Sequence, residues 1–438
     1  MSLVERFRRH LAELAPPAGP ALVAVSGGAD SLVLLDLLVA TADEHRLELI
    51  AAHVDHGIGP TSGAVADRVR AAAERYRVRF EIERLFLGSE ATETVAREHR
   101  YAALGRIARR SGARLIVTAH HADDQAETVL MRVLRGSGPG GLAAMRPRAG
   151  VLRPLLPFRR EELAQYLHQR GIEAWEDPAN SDRRHLRSWL RSEVMPTLER
   201  RLPDLVSKLG RTAALAGRNL AAWDALLDAL PDLELVLDRN RVSVAAHALA
   251  RYDSALAEAL AAALARRAGC IAGPARAARL VHLAAKGRSG AMVPLGDGWM
   301  GEVAFGRLAV RRAPPAAPAA ATIPADAADV QWGRWRFRVA RAVAPVRQAR
   351  TGMTAWFPEE PLSVRAYRPG DRIRPLGGPG RRLLVRCFQD ARVPRLSRSD
   401  WPVLLAGESV VWVPGVCRAE ALVPPAGSEA LRVDVAYE

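Results

Sequence analysis

The sequence predicts an α/β chain: a parallel-sheet domain, then a helical domain, then a small strand-rich C-terminal domain. Three observations carry this. Short apolar runs alternate with helical patterns through the first 200 residues, the middle is rich in Ala and Leu at helical spacing, and short runs broken by Pro and Gly fill the last hundred. The first strand is Ala21–Ser26 (ALVAVS), followed by Gly27-Gly28 and a helical pattern over Ser31–Val39. Leu47–Val54, Val78–Leu85 and Ala113–Ala119 read as further strands, with helical spacing over Thr61–Tyr76 and Glu93–Arg110 between them. Strands separated by helices call for a parallel sheet covered on both faces. After Gly210 the pattern is helical to about Arg288, and 13 of the 20 residues from Arg311 to Val330 are Ala or Pro, which reads as a linker. Arg334–Val339 (RWRFRV) then alternates at period two, as a half-buried strand does. The expected division is 1–210, 211–312, a 313–330 linker, and 331–438.

The chain has 438 residues, and its 49% apolar and 25% charged content excludes a wholly disordered or collagen-like chain. Basic residues outnumber acidic ones by 63 to 48, a net charge of +15 that suits a polyanionic partner. Only Lys208 and Lys286 are lysine; the other 61 are arginine, which forks phosphates and stacks on bases. Three cysteines, Cys270, Cys387 and Cys417, are too few and too scattered for a disulfide framework or a zinc site, and a reducing compartment fits. Residues 1–17 lack a signal-peptide apolar core, and no run of 18 uncharged apolar residues exists. A cytoplasmic protein with no membrane partner is expected.

Ser26-Gly27-Gly28-Ala29-Asp30-Ser31 sits where the first strand ends and a helix begins. Glycines permit a tight turn and close backbone approach, the helix start offers free N–H groups, and both serines can donate to an anion. Asp30 would repel a bare phosphate; it makes sense as a helix cap or as the holder of a Mg²⁺ ion shared with phosphates. Neither lysine stands in a Walker Gly-Lys-Ser/Thr context. Gly136–Gly141 matches the dinucleotide string in letters but follows a helical pattern, so it lacks the required strand.

Ser26–Ser31 resembles the pyrophosphate loop (PP-loop) of ATP pyrophosphatases. His53-Val54-Asp55-His56-Gly57, Glu93–Tyr101, Thr118–Glu127 (TAHHADDQAE), Arg135–Gly138, Arg153–Leu156, Trp175–Asn180 and Arg368–Arg372 follow in order. Together they look like the tRNA(Ile)-lysidine synthases, with the weakest likeness across 215–330. The resemblance implies a PP-loop ATP-binding domain carrying linker helices, followed by tRNA-binding domains. It also implies a reaction in which ATP adenylates the wobble cytidine of a CAU-anticodon tRNA(Ile) and free L-lysine then displaces AMP.

On that reading Ser26, Gly27, Gly28, Ala29, Asp30 and Ser31 take ATP, with Mg²⁺ on Asp30, and His53, Asp55 and His56 border the nucleotide at strand ends. His56 either stabilises phosphate charge or bonds to backbone. The adjacent pair His120-His121, with no cysteine nearby, argues against zinc. Asp124 and Glu127, three apart, share one helical face, either as a solvated acidic stripe or as the acidic lysine pocket the family implies. Glu93, Arg97 and Arg100 share another stripe, as a surface ladder or as forks for the lysine carboxylate or ATP phosphates. Asp30, His56 and Asp124 are the expected catalytic residues.

RNA contact is expected from two arginine-rich segments. Residues 180–201 hold six arginines, including Arg183, Arg187 and Arg191; Ser188 stands where the family usually has Asn. Residues 361–400 hold ten arginines against three aspartates, including Arg368, Arg372, Arg374, Arg381 and Arg382. A homodimer is left open. The rival readings are a PP-loop tRNA thiolase and a non-catalytic RNA-binding protein with a vestigial loop. Thiolation needs active-site cysteines, and residues 1–210 contain none.

Overall fold

The computed structural model describes residues 1–55, 62–85, 93–145, 150–175, 186–238, 241–325 and 329–437. His56, Arg183, residues 176–180 and the side chain of Glu93 lie outside the described residues. The chain forms two compact units, Met1–Ala221 and Ala222–Glu438.

In the first unit, helix α1 (Leu3–Leu14) starts with a Ser2/Glu5 capping box. Strands β1 (Gly19–Ala24), β2 (Leu47–Asp55), β3 (Arg79–Arg84), β4 (Leu115–Val117) and β5 (Val151–Leu152) pair in parallel in the order β3-β2-β1-β4-β5. The four expected strands are present; β5 is an addition, too short to show a period of its own. Parallel pairing demands crossovers. They are α2 (Ala29–Val39), α3 (Ser62–Arg75), α4 (Glu93–Ser111), and α5 (Ala122–Leu134) with the single turn α6 (Pro139–Leu142).

With helices covering the sheet, Ala21, Leu22 and Val23 of β1 are fully buried. Helix α2 buries eight of its eleven residues, so its apolar character extends all round and Asp36 within it must find partners. Helices α7 (Arg160–Gln169), α8 (Leu186–Trp189), α9 (Met195–Arg201) and α10 (Leu205–Ala229) follow, with a π-helical turn over Leu190–Val194. Strand β1 lies between β2 and β4, so the winding direction reverses there. The loops leaving the carboxyl ends of β1 and β4 therefore open a crevice between them.

The second unit departs from the sequence expectation in two places. The middle segment has its helices, α11 (Ala246–Leu249), α12 (Ser254–Arg267) and α13 (Pro274–Lys286), but also an antiparallel sheet. Its strands β6 (Val236–Asp238), β7 (Arg241–Ala245), β8 (Ala291–Gly296), β9 (Trp299–Ala304) and β10 (Arg307–Arg312) run in the order β6-β7-β10-β9-β8. Short strands such as RVSVA and RLAVRR have no distinctive pattern in an Ala-rich background; pairing across the chain makes them strands.

The Ala/Pro stretch is not all linker either. Strand β11 (Ala321–Ile323) pairs with β15 (Leu362–Ala366), and β12 (Asp329–Trp332) with β13 (Trp335–Val343). Both β11 and β12 are edge strands, where a proline-rich neighbourhood is tolerated.

The terminal segment adds β14 (Thr354–Phe357), the hairpin β16 (Arg372–Ile373) and β17 (Arg382–Leu383), α14 (Leu384–Asp390) and α15 (Arg395–Arg398). It ends with β18 (Pro402–Ala406), β19 (Ser409–Val413), β20 (Cys417–Arg418) and β21 (Glu429–Tyr437). Sheets β11-β15-β18-β19-β20 and β12-β13-β21-β14 enclose a core with Trp332, Trp335, Phe337, Phe357 and Trp412. No helix among the described residues is long and apolar enough to cross a membrane.

Candidate functional site: the crevice between β1 and β4

Gly27 has φ +88°, and a Cβ there would meet Val65 Cγ1 at 2.9 Å, so the turn after β1 requires glycine. Trp175 N donates to Gly27 O at 3.0 Å and holds the loop from outside. Gly28 is the N-cap of α2 and makes no side-chain cap, which leaves first-turn N–H groups for an anion. Ser31 Oγ accepts from Ser26 N (3.2 Å) and Ser26 Oγ (3.3 Å) and donates to Gly28 O (2.8 Å). The Ser26–Ser31 string thus folds back on itself as a cradle, with Asp30 on the first turn of α2.

The loop after β4 brings the second half. His121 is fully buried, and its ring lies 3.6 Å from Asp30, 3.5 Å from Asp123 and 3.5 Å from Asp124. Burial alone would depress its pKa; the carboxylates of Asp123, Asp30 and Asp124 around the ring override this and hold it up to about 9. The ring is therefore a cation at neutral pH. Asp124 N lies 3.4 Å from Nδ1, but an imidazolium has no lone pair to accept it, so the working cap bond is His121 N donating to Asp124 Oδ2 at 3.2 Å. His120 behaves oppositely: burial, with Arg97, Arg153 and Arg100 nearby, pushes it down to about 3 against the pull of Asp124, and it is neutral.

Asp124 and Glu127 are buried on one face of α5, as their spacing requires, and are not a solvated stripe. Their partners are Arg187 and Arg191. Arg187 donates to Asp124 Oδ1 (2.9 Å) and Glu127 Oε2 (3.1 Å), and Arg191 to Asp124 Oδ1 (2.9 Å) and Glu127 Oε1 (2.6 Å). Burial raises the Asp124 pKa, but the charges of His121, Arg187 and Arg191 outweigh it and leave the carboxyl below its usual range. The two arginines expected at an RNA surface thus close over the two acids expected to hold lysine. Arg97 and Arg100 share one face of α4, with the Arg97 guanidinium 5.3 Å from the Tyr101 ring centroid.

Of the other expected residues, His53 is buried with Nδ1 2.9 Å from Val25 O; burial pushes its pKa down, and the neutral ring donates to that carbonyl. Asp55 is buried, with Arg84 Nε at 3.8 Å. Arg372 and Arg382 lie on the β16–β17 hairpin, and Arg368, Arg372 and Arg381 are exposed with no ion pair among the described residues. Arg374 pairs with Glu420 and Arg382 with Asp390, each at 2.8 Å.

Asp123 had no role assigned from its sequence context; its carboxylate accepts from Arg159 Nε (3.1 Å) and Arg160 N (2.7 Å) and ties α5 to α7. Nothing local signals a contact 37 residues away in the chain. Cys387 and Cys417, scattered in sequence, lie together in one buried cluster. Among the described residues no group of three or more His, Cys, Asp or Glu side chains could hold a metal ion.

A family profile described as PP-loop domain matches residues 3–198, and one described as TilS substrate C-terminal domain matches residues 362–435. The tRNA(Ile)-lysidine synthase of Alkalilimnicola ehrlichii is 36% identical, over 93% of this chain and 92% of its own. That of Symbiobacterium thermophilum is 33% identical over 99% and 98%, and that of Geobacter sulfurreducens 35% over 95% and 93%. Similarity of this extent, end to end and on both sides, means that the chain belongs to the tRNA(Ile)-lysidine synthase family.

Proposed function

We propose that the protein ligates L-lysine to C2 of the wobble cytidine of a CAU-anticodon tRNA(Ile), consuming ATP and releasing AMP and pyrophosphate. The cytidine O2 attacks the α-phosphorus and pyrophosphate leaves; the neutral lysine amine then attacks C2, loses a proton, and AMP leaves with O2. The observation that carries this reading is the meeting of the Ser26–Ser31 cradle with the acidic pair Asp124 and Glu127 across the switch point.

The cradle amides and serine hydroxyls hold the pyrophosphate end, and the His121 cation adds positive charge next to them. Mg²⁺ favours one or two carboxylates plus phosphate oxygens over an all-protein cage, and the lone carboxylate of Asp30, with 31% of its side chain exposed, fits that mode. Bound there, the ion would neutralise phosphate charge. Arg97 and Arg100, beside the neutral His120, suit the lysine carboxylate.

Asp124 and Glu127 serve two cations in turn. An entering lysine ammonium exchanges for a guanidinium on these acids, and the freed Arg187 or Arg191 turns to RNA or adenylate phosphate. Arg368, Arg372, Arg374, Arg381 and Arg382 contact the tRNA body.

The test is mass spectrometry of a tRNA(Ile) transcript incubated with the protein, ATP and isotopically labelled lysine. Label in the wobble nucleotide with stoichiometric AMP is expected; ATP turnover without label in the RNA would refute the reading.

A further inference from the structure

Cys387 and Cys417, which no step of the proposed reaction uses, lie in one buried apolar cluster of the terminal segment. Cys387 stands in the middle of α14 and Cys417 opens β20, so the fold brings them together from separate elements. Ile373, Phe388, Val413 and Val416 belong to the same cluster. Among such neighbours the partner of one thiol is the other: Cys417 donates to the Cys387 sulfur. Sulfurs already in contact can be bridged without moving the backbone, which separated cysteines cannot.

The two thiols are not equivalent. The bond from Cys417 and the Arg382 guanidinium hold the Cys387 thiol down to about 7 against the effect of burial. The same bond, together with burial, pushes the Cys417 thiol up. Cys387 is therefore partly thiolate at neutral pH, and Cys417 keeps its proton. Cys270 is the contrast, buried in the core of the middle segment with its thiol pushed up by burial. A thiolate beside a protonated thiol is the arrangement of an attacking and a resolving cysteine. Helix α14 is only seven residues long, with Arg386, Gln389 and Asp390 exposed, so a small local opening admits a water-sized oxidant.

The pair also adjoins both limbs of the β16–β17 hairpin. Strand β17 runs directly into α14, from Leu383 to Leu384. The chain just after Cys417 is bonded to the chain just after β16: Leu376 N donates to Arg418 O and Glu420 N to Arg374 O, each at 2.9 Å, and Pro375 pairs with Ala419. Cys417 Sγ lies 3.7 Å from the same Arg418 carbonyl. A bond between the sulfurs would join the two limbs at the base of the hairpin.

We infer that Cys387 and Cys417 are a reversible dithiol–disulfide couple, oxidised by a peroxide, whose closure clamps the β16–β17 hairpin. The Cys387 thiolate attacks one peroxide oxygen and the O–O bond breaks. Cys387 becomes a sulfenic acid, and the departing hydroxide takes up a proton as water. The Cys417 sulfur then attacks the Cys387 sulfur, the S–O bond breaks, and the hydroxyl leaves with the Cys417 proton as a second water. Two thiols lose two electrons in all, and one hydrogen peroxide is reduced to two waters. A dithiol reductant reverses the bond by exchange. Nothing in this couple depends on the proposed reaction, so either can fail without the other.

The test treats the full-length protein with hydrogen peroxide, blocks the remaining thiols with iodoacetamide, and maps peptides by mass spectrometry. A linked Cys387–Cys417 peptide pair, lighter by two hydrogens and separated by dithiothreitol, is expected, with Cys270 alkylated. Amide exchange over residues 372–383 should slow about tenfold in the oxidised protein. In C417S the resolving thiol is absent, so dimedone should trap Cys387 as the sulfenic acid while exchange stays at the reduced rate. Cys387 and Cys417 both alkylated after peroxide would overturn the couple, as would loss of the Cys270 thiol at the same rate. A disulfide that leaves exchange over 372–383 unchanged would overturn the clamp.

Discussion

Substitution of Asp36 probes how the Ser26–Ser31 cradle is held. Asp36 lies in the middle of α2, 3% exposed, two turns beyond the cradle. Its carboxylate accepts from Tyr76 Oη (2.7 Å), Tyr166 Oη (2.5 Å), Arg170 Nη2 (3.1 Å) and Arg170 Nε (3.2 Å). These bonds tie α2 to the ends of α3 and α7. Asp36→Ala strips all of them. Breaking a buried pair costs about 3–5 kcal/mol. Arg170 is 55% exposed and can rehydrate, so the lower end applies: about 3 kcal/mol, mostly from two phenols left without an acceptor.

Hydrogen exchange read by mass spectrometry on peptides covering α2 measures this locally, which suits a chain of two units better than a single global transition. The pH sign is also fixed. Burial raises the Asp36 pKa, but the bonds from Arg170, Tyr166 and Tyr76 outweigh it and hold it below the ordinary value. Its contribution is complete above about pH 4, the unfolded carboxyl value, and is lost as pH falls through the lower folded value. Asp36→Asn should remove that acid-side loss from α2. A change below about 1 kcal/mol in Asp36→Ala, or an unchanged acid limb in Asp36→Asn, would refute the reasoning.

Gly27→Ala places a Cβ at φ +88° and 2.9 Å from Val65 Cγ1, so left-handed strain of about 1–2 kcal/mol should appear. ATP affinity by calorimetry should fall about tenfold. Asp124→Ala should raise the lysine KM far more than the ATP KM in steady-state assays; an unchanged lysine KM removes Asp124 from the lysine site. His121 is held up to about 9, above its unfolded value of about 6.5. Its stabilisation is complete below the lower value and lost as pH rises through the upper one. His121→Gln should therefore melt lower than wild type at pH 7, with the difference shrinking by about pH 10.

Much of the site was legible because it is local. A cradle for an anion needs glycine at a left-handed turn, hydroxyls, and the start of a helix directly after a strand, and Ser26–Ser31 supplies all of these within six residues. The shared face of Asp124 and Glu127 follows from helical spacing alone. Strands β1, β2 and β4 of the first unit were legible because they are largely buried and read as apolar runs, and the edge strand β3 (RFEIER) because it alternates apolar and polar residues.

What escaped depends on distance along the chain. Asp36 looks like an interruption in an apolar helix until Tyr76, Tyr166 and Arg170 arrive from 40, 130 and 134 residues away. The strands β6–β10 carry no periodic signature of their own, and β11 and β12 hide in an Ala/Pro stretch, because each is stabilised by the strand beside it.

By itself, then, the sequence determined the architecture of the first unit, the cradle and the identity of the acidic pair, since these rest on backbone geometry and short-range periodicity. Only the tertiary structure decided which charges meet. It put Arg187 and Arg191 on Asp124 and Glu127, and it made His121 a cation and His120 neutral, one residue apart. Protonation and pairing follow from the local dielectric and from the charges within a few ångströms, and neither exists until the chain has folded.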